Sequence, residues 1–169
     1  KNMKVKKFIN FSTVWEDSNS IINNSENLYA AYKKSFSIIL GFYKKNLTKV
    51  KFYELMLSDT FGKNDLRNKI INTLKKNYSR GKTTKIISRN LYLNLLNVLD
   101  VIKAINLILK KKIIPKKYLL KNKSYIKIFD LIKIFNKKNK KKIKIKWISN
   151  KLLKKRIYPY DNLNGWKPS

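Results

Sequence analysis

Tyr29 stands four residues before Lys33 in the stretch SENLYAAYKKSF, residues 25–36. On a helix, residues four apart share a face, so a phenol and an ammonium can project toward one site. A phenol ordinarily loses its proton near pH 10. A neighbouring ammonium favours the phenolate and lowers that value. Such a pair supplies a base near neutral pH without histidine, and these 169 residues contain no histidine. Chance also supplies the spacing. With 10 Tyr and abundant Lys, roughly two such pairs are expected, and there are two, the second being Tyr78 with Lys82 in YSRGK. The second pair spans Gly81 and falls between elements, which argues against helical geometry there. Spacing alone leaves Tyr29 and Lys33 balanced between a catalytic pair and one face of a helix in a lysine-rich chain.

Composition narrows the alternatives. The absence of cysteine removes disulfides, thiolate nucleophiles and cysteine metal sites. Without histidine there is no Ser–His or Cys–His triad, so acid–base work falls to Tyr, Lys or one of only 9 Asp and Glu. Hydrophobic residues make up 43% of the chain, enough for a packed core rather than a disordered tail. No metal site is expected. The longest apolar run, LYLNLLNVLDVIKAINLIL, is interrupted by Asn, Asp and Lys, so no membrane span is expected. The basic opening KNMKVKKF is not followed by the apolar core of a signal peptide, and a cytoplasmic location is expected.

The net charge is +32. Phosphate neutralisation by a nucleic-acid partner would use such a charge. Heavy use of Lys, Asn, Ile, Tyr and Phe beside scarce Gly and Pro is also the mixture produced by AT-rich coding. The cations run through the whole chain, and Arg, the residue suited to bidentate base and phosphate contacts, is scarce beside Lys. The balance lies with coding bias, and a nucleic-acid partner is not expected.

The elements that must position the pair follow from periodicity. KKFINFST reads as a buried strand ending in hydroxyl residues. SENLYAAYKKSFSIILGFYKKN reads as a helix capped by Ser25, with Leu28, Tyr32, Phe36, Ile39 and Phe42 at helical spacing. VKFYELMLS is a strand, and NDLRNKIINTLKKNY a helix opening near Asn64 or Asp65. KTTKIIS and LYLNLLNV are strand-like, and LDVIKAINLILKKK is a helix. KYLLKN is a short strand, YIKIFDLIKIFNKK a helix, KIKIKWIS a strand, and RIYPYDNLNGWKPS turn-rich. Strands alternating with helices imply an α/β chain with a largely parallel sheet. Thr13 then leaves the carboxyl end of a parallel strand, the edge at which α/β folds bind ligands.

The series FINFSTVW, then NLYAAYKKSF, resembles the extended short-chain dehydrogenase/reductases (SDRs), in particular the NAD-dependent epimerase/dehydratase group that acts on nucleotide sugars. That family has a strand ending in Ser or Thr and then a Tyr-x-x-x-Lys helix. LSDTFGKNDLRNKIINTL is similar to its strand with an Asp/Asn-x-Tyr-Gly turn and following helix. NLLNVLDVIKAI is similar to its Val-x-Asp-Asp-Val segment, and NGWKPS to its Gly-Trp-x-Pro. The order holds from about residue 7 to residue 168, with the branch making CDP- or dTDP-linked deoxysugars nearest in character.

The resemblance implies roles. Tyr29 would be the acid or base toward a sugar hydroxyl or ketone while hydride moves to or from the nicotinamide of NAD or NADP. Lys33 would lower the Tyr29 pKa and bind the nicotinamide ribose. Thr13 would hydrogen-bond the reacting sugar oxygen. Asp59 and Thr60 would face cofactor and substrate. A helix starting near Asn64, with Arg67 and Lys69 in its first turns, would lie beside the nucleotide diphosphate, where a helix N-terminus and cations suit an anion. The implied function is an epimerase, dehydratase or reductase on a nucleotide sugar, with room for a homodimer through the Tyr-x-x-x-Lys helix. A basic, non-enzymatic protein binding RNA or an anionic surface is the alternative.

The sequence departs from the family in several places. Its four glycines, Gly41, Gly62, Gly81 and Gly165, form no Gly-rich dinucleotide turn. The chain is therefore expected to be one incomplete unit, the C-terminal portion of a Rossmann-type fold. Residues 1–62 would end the Rossmann core, and residues 63–169 would mix core strands with a small substrate-binding region. Tyr32 replaces a small residue before Lys33, Leu99 replaces the first Asp of the Asp-Asp pair, and no Arg precedes NLLNVLD. Pyrophosphate binding in this architecture relies on the Gly-rich turn and its helix N-terminus. Isothermal titration of the 169 residues alone should therefore show NAD(H) or NADP(H) binding no tighter than roughly millimolar, about 4 kcal/mol. Micromolar binding would contradict the expectation that the cofactor half lies elsewhere.

Overall fold

The computed structural model describes residues 4–17, 27–149 and 158–169. In chain order the elements are β1 (Lys7–Thr13), a 3-10 turn (Val14–Glu16), α1 (Leu28–Asn46), β2 (Lys51–Leu57), β3 (Asp59–Phe61) and α2 (Ile70–Ser79). They continue with β4 (Thr84–Ser88), β5 (Tyr92–Leu93), β6 (Leu95–Asn97), α3 (Val98–Lys110), β7 (Lys117–Leu120), β8 (Ile126–Lys127), α4 (Ile128–Lys137) and β9 (Ile145–Ser149). This is the α/β alternation expected from the sequence. The chain divides into two units, residues 1–60, 96–121 and 156–169 forming the first and residues 61–95 and 122–155 the second.

In the first unit β1, β2 and β7 form a parallel sheet in that order. Its register sets Thr13 opposite Leu57 and Leu57 opposite Leu120, so the three carboxyl ends are level. One face carries Tyr53, Leu55, Tyr118 and Leu120, packed with Val101, Ala104 and Ile108 of α3 and with Leu163 and Trp166. The leucine and aromatic residues of β2 and β7, mostly apolar on successive positions, suit a parallel strand covered on both faces.

The other face, under α1, is polar at its centre. Ser12 and Lys117 donate to the fully buried Glu16, Lys117 at 2.7 Å. Lys34 pairs with buried Asp17 at 2.9 Å, and the Tyr160 hydroxyl donates to the same carboxylate at 2.8 Å. Lys44 pairs with Glu54 at 2.7 Å. Burial opposes ionisation of Glu54, but the Lys44 ammonium and the Lys117 charge hold its carboxyl below the ordinary range.

The stripe read from the sequence faces outward on α1. Leu28, Tyr32, Phe36, Ile39 and Phe42 are exposed, whereas Ala30 and Leu40 are buried and Lys34 and Lys44 turn in to the carboxylates. The cause is electrostatic: a buried carboxylate left without a cation costs more than an exposed aromatic ring. Ser25, expected as the cap, lies outside the described residues. Asn27 is the N-cap, its side chain accepting from the Ala30 amide at 2.9 Å. At the other end of α1 an apolar hollow of about 320 Å³ opens between Phe8, Phe36, Leu40, Tyr43 and Phe52.

In the second unit β4 and β9 pair in parallel, and β5 and β8 pair antiparallel. Leu74, Ile86, Leu93, Ile128, Ile132 and Ile143 form its core. Helix α2 stops where Gly81 adopts φ +62, and the Gly81 and Lys82 amides return to the Tyr78 and Asn77 carbonyls. Lys82 therefore lies beyond the helix that carries Tyr78, and the second Tyr–Lys spacing does not share a helical face.

Breaking a buried pair leaves an uncompensated charge. Glu16→Gln should lower stability by about 3–5 kcal/mol in urea unfolding. Lys116→Ala, which removes an ion pair to the exposed Asp161, should leave the midpoint unchanged. Equal midpoints for the two variants would show that the buried pair does not hold the unit.

Candidate active site

The level ends of β1 and β2 carry Thr13, Asp59 and Thr60 to one edge of the first unit's sheet. Thr13 is half-buried, in extended backbone (φ −133, ψ 145), and its hydroxyl accepts from the Trp15 amide at 3.4 Å as the chain enters the 3-10 turn. Asp59 and Thr60 follow β2 by two and three residues, also half-buried. Helix α1 crosses over from β1 to β2, so its first turns begin at the same edge.

Lys33 joins helix and strand. Its Nζ donates to the Phe11 carbonyl of β1 at 2.9 Å, two residues before Thr13. The same ammonium lies 6.0 Å from the centre of the Tyr29 ring, the outer limit of a cation–π contact. Tyr29 itself is 54% exposed. Five of the residues named from sequence, Thr13, Tyr29, Lys33, Asp59 and Thr60, thus belong to the first unit. The arrangement provides a phenol, an ammonium and a hydroxyl on adjoining segments at the carboxyl edge, the group types needed to move a proton to and from an alcohol or ketone.

The other three, Asn64, Arg67 and Lys69, belong to the second unit, and one expectation about them is corrected. The helix does not open near Asn64; α2 opens at Ile70 with Lys69 as its N-cap, and Arg67 precedes it. The reason is local. The Asp65 carboxylate accepts from the Arg67 amide at 3.1 Å and from the Arg67 guanidinium at 2.8 and 2.6 Å. Asn72 Nδ2 donates to the carbonyls of Asp65 (2.6 Å) and Arg67 (2.9 Å). Side chains that bond their own backbone in this way compete with helix. The Arg67 guanidinium holds the Asp65 carboxyl down to about 2. An open cleft of about 510 Å³ is lined by Asp65, Arg67, Asn68, Asn72, Lys75 and Lys76.

Two stretches quoted separately from the sequence meet in the first unit. Trp166 Nε1 donates to the Asp100 carbonyl at 2.8 Å. The Ser169 amide and hydroxyl donate to the Asp100 carboxylate at 3.1 and 2.9 Å, and Lys103 pairs with it at 2.8 Å. Asp100 therefore anchors the Gly-Trp-x-Pro tail, with Gly165 at φ +76 turning the chain toward it. Burial opposes ionisation of Asp100, but Lys103 and the two Ser169 donors hold its carboxyl below the ordinary range. Spacing gave no sign of this contact, nor of the Ser12–Glu16–Lys117 cluster. Among the described residues no group of three His, Cys, Asp or Glu could hold a metal ion, and no helix is long and apolar enough to cross a membrane.

No family model and no curated protein sequence matches the chain. Solved structures do. UDP-glucuronic acid 4-epimerase from Bacillus cereus, in complex with UDP-glucuronic acid and NAD, matches with TM-score 0.78 and 19% identity over 95% of this chain and 54% of that one. UDP-N-acetylglucosamine 4-epimerase from Methanobrevibacter ruminantium, in complex with UDP-N-acetylmuramic acid, matches with TM-score 0.78 and 16% identity over 97% of this chain and 58% of that one. dTDP-glucose 4,6-dehydratase from Bacillus anthracis, in complex with NAD, matches with TM-score 0.74 and 18% identity over 96% of this chain and 56% of that one. The chain shares their fold and spans a little over half of their length.

The Asp100 anchor has a definite pH signature. Its folded carboxyl lies below the ordinary value of 3.8. The stabilisation is complete above that value and is lost as pH falls through the lower, folded value. With Trp15 and Trp147 replaced by Phe, Trp166 fluorescence should stay constant from pH 7 to pH 5 and change only below 3.8. Asp100→Asn should abolish that step. A step of the same size in the variant would show that another group drives it.

Proposed function

We propose that the chain carries the acid–base portion of an NAD(P)-dependent epimerase, dehydratase or reductase acting on a nucleotide sugar, of the extended SDR group. The observation that carries this reading is the Lys33–Phe11 hydrogen bond, which ties the Tyr-x-x-x-Lys helix to β1 beside Thr13. The fold likeness adds support, since the neighbours are epimerases and dehydratases solved with NAD or with nucleotide sugars.

In this reading Thr13 donates to the reacting sugar oxygen and orients it. Tyr29 takes the proton from that oxygen or returns it. Lys33 would bind the nicotinamide ribose; its present acceptor is a main-chain carbonyl, the kind of neutral oxygen that a ribose hydroxyl can replace. Asp59 and Thr60 border the same edge. A nicotinamide, when bound, would supply the hydride acceptor or donor. The residues present fit its reactive end, while the pyrophosphate would require residues outside these 169. Arg67, in its cleft, is the strongest local candidate for a diphosphate contact, with Asn64 and Lys69 flanking it in sequence; Asp65 already compensates much of its charge. The outward apolar stripe of α1 is a surface on which a homodimer could close, and a cytoplasmic location goes with this chemistry.

The test requires the protein joined to its cofactor-binding half. Tyr29→Phe should lower kcat by roughly 10²–10⁴, the range for general acid–base catalysis, without loss of stability. Lys33→Met should lower turnover. Thr13→Val should lower turnover as well. Tyr78→Phe, which removes an acceptor for the Lys141 amide in the other unit, should leave turnover near wild type. Equal small effects at Tyr29 and Tyr78 would favour the basic non-enzymatic alternative.

A further inference from the structure

The positive charge is divided unequally between the two units. The second unit holds 22 of the 41 Lys and Arg but only 2 of the 9 Asp and Glu. Both acids are already engaged, Asp65 with Arg67 at 2.6 Å and Asp130 with Lys133 at 3.8 Å. In the first unit Lys34, Lys44, Lys103 and Lys117 each meet a buried carboxylate.

The second unit's cations converge at one end. From Lys137 to Lys146 seven of ten residues are lysine, and all seven side chains are exposed, while Ile143 and Ile145 turn toward the core. The Lys141 amide donates to the Tyr78 hydroxyl, and the Tyr78 ring packs edge-on against Phe135 at 5.3 Å. These contacts bring the C-terminal ends of α2 and α4 together, adding Lys75, Lys76, Arg80 and Lys82, all exposed. The Thr84 amide donates to the Lys144 carbonyl at 2.8 Å, and the register sets Lys85 beside Lys146 on the outward side of β4 and β9. Like charges side by side on neighbouring strands repel. A helix C-terminus favours one or two cations, which leaves most of this cluster without an internal role.

We infer that this end of the second unit binds the phosphate backbone of a nucleic acid, as an activity separate from the proposed chemistry of the first unit. Lysines at this density neutralise a regularly spaced polyanion and release its counterions. The run from Lys137 to Lys142 holds no apolar residue; Ile87 and Ile148 are exposed on the outward side of β4 and β9 beside it, so a lipid surface is the competing partner that the vesicle arm tests. Lysine-dominated contact also implies backbone binding without base readout.

The experiment measures binding of the 169-residue chain to a fluorescein-labelled, mixed-sequence DNA duplex of about 20 base pairs across a salt series. Parallel arms use single-stranded RNA and vesicles containing phosphatidylserine. The test variant replaces Lys138, Lys140, Lys141 and Lys142 by Gln. The control variant replaces the exposed Lys45, Lys49, Lys110 and Lys112 of the first unit, an equal change in net charge. The expected result is a fall of about 3 in the salt slope for the test variant, from roughly 0.9 per phosphate contact, with less than about 1 for the control. Unchanged circular dichroism would show that both variants fold. Equal falls in the two variants would mean that net charge alone drives binding and would overturn the inference. So would the absence of binding at low salt, or lysine-dependent binding to vesicles but not to nucleic acid.

Discussion

A fully buried carboxylate, Glu16, organises the first unit. It accepts from Ser12 at the end of β1 and from Lys117 at the start of β7. Since β1 and β7 are the outer strands of a three-stranded sheet, this acid ties across β2 the two strands that do not pair. An ionised carboxylate is tolerable there only because a cation and a hydroxyl meet it. Asp17 beside it repeats the arrangement, with Lys34 and Tyr160 as partners. Burial, together with the Asp17 carboxylate that accepts its hydrogen bond, pushes the Tyr160 phenol well above its ordinary range, so the donor stays a donor.

The same constraint settles how α1 lies. A helix with aromatic and aliphatic residues at helical spacing would ordinarily turn them to the core. Here the buried carboxylates Asp17 and Glu54 call for Lys34 and Lys44, and the helix rotates to deliver them. That rotation leaves the apolar stripe outside. It also accompanies the placement of Lys33, next to Lys34, on the Phe11 carbonyl at the strand's edge. Structural ion pairs one face round the helix thus accompany the Lys33–Phe11 bond that ties α1 to β1.

The two units use a lysine-rich composition in different ways. In the first, scarce acids draw lysines inward as partners. In the second, alternation along KIKIKWIS puts Ile143 and Ile145 into a core and leaves the lysines between them in solvent. Composition fixes how many lysines there are. It does not account for where the acids stand, and that decides which lysines are compensated.

Periodicity by itself determined most elements: the strands around Phe8–Ser12, Phe52–Met56 and Thr84–Ser88, and the helices starting at Leu28 and, within a residue, at Val98, all lie where apolar spacing places them. Such signals are local, and backbone geometry reads them locally. The order of motifs likewise carried the fold, because a series of short segments in register with a known architecture constrains topology more than any one of them does. Tertiary structure decided what local pattern cannot contain. The start of α2 moved to Ile70 because the side chains of Asp65 and Asn72 bind backbone groups of residues 65–67, a competition invisible to propensity. Asp100 met Ser169 and Trp166 across 66 to 69 residues. The outward turn of the α1 stripe depended on carboxylates carried by other segments. The last two outcomes rest on desolvating a charge or satisfying a buried donor, and the partner that does so is chosen by the folded chain rather than by its neighbours in sequence.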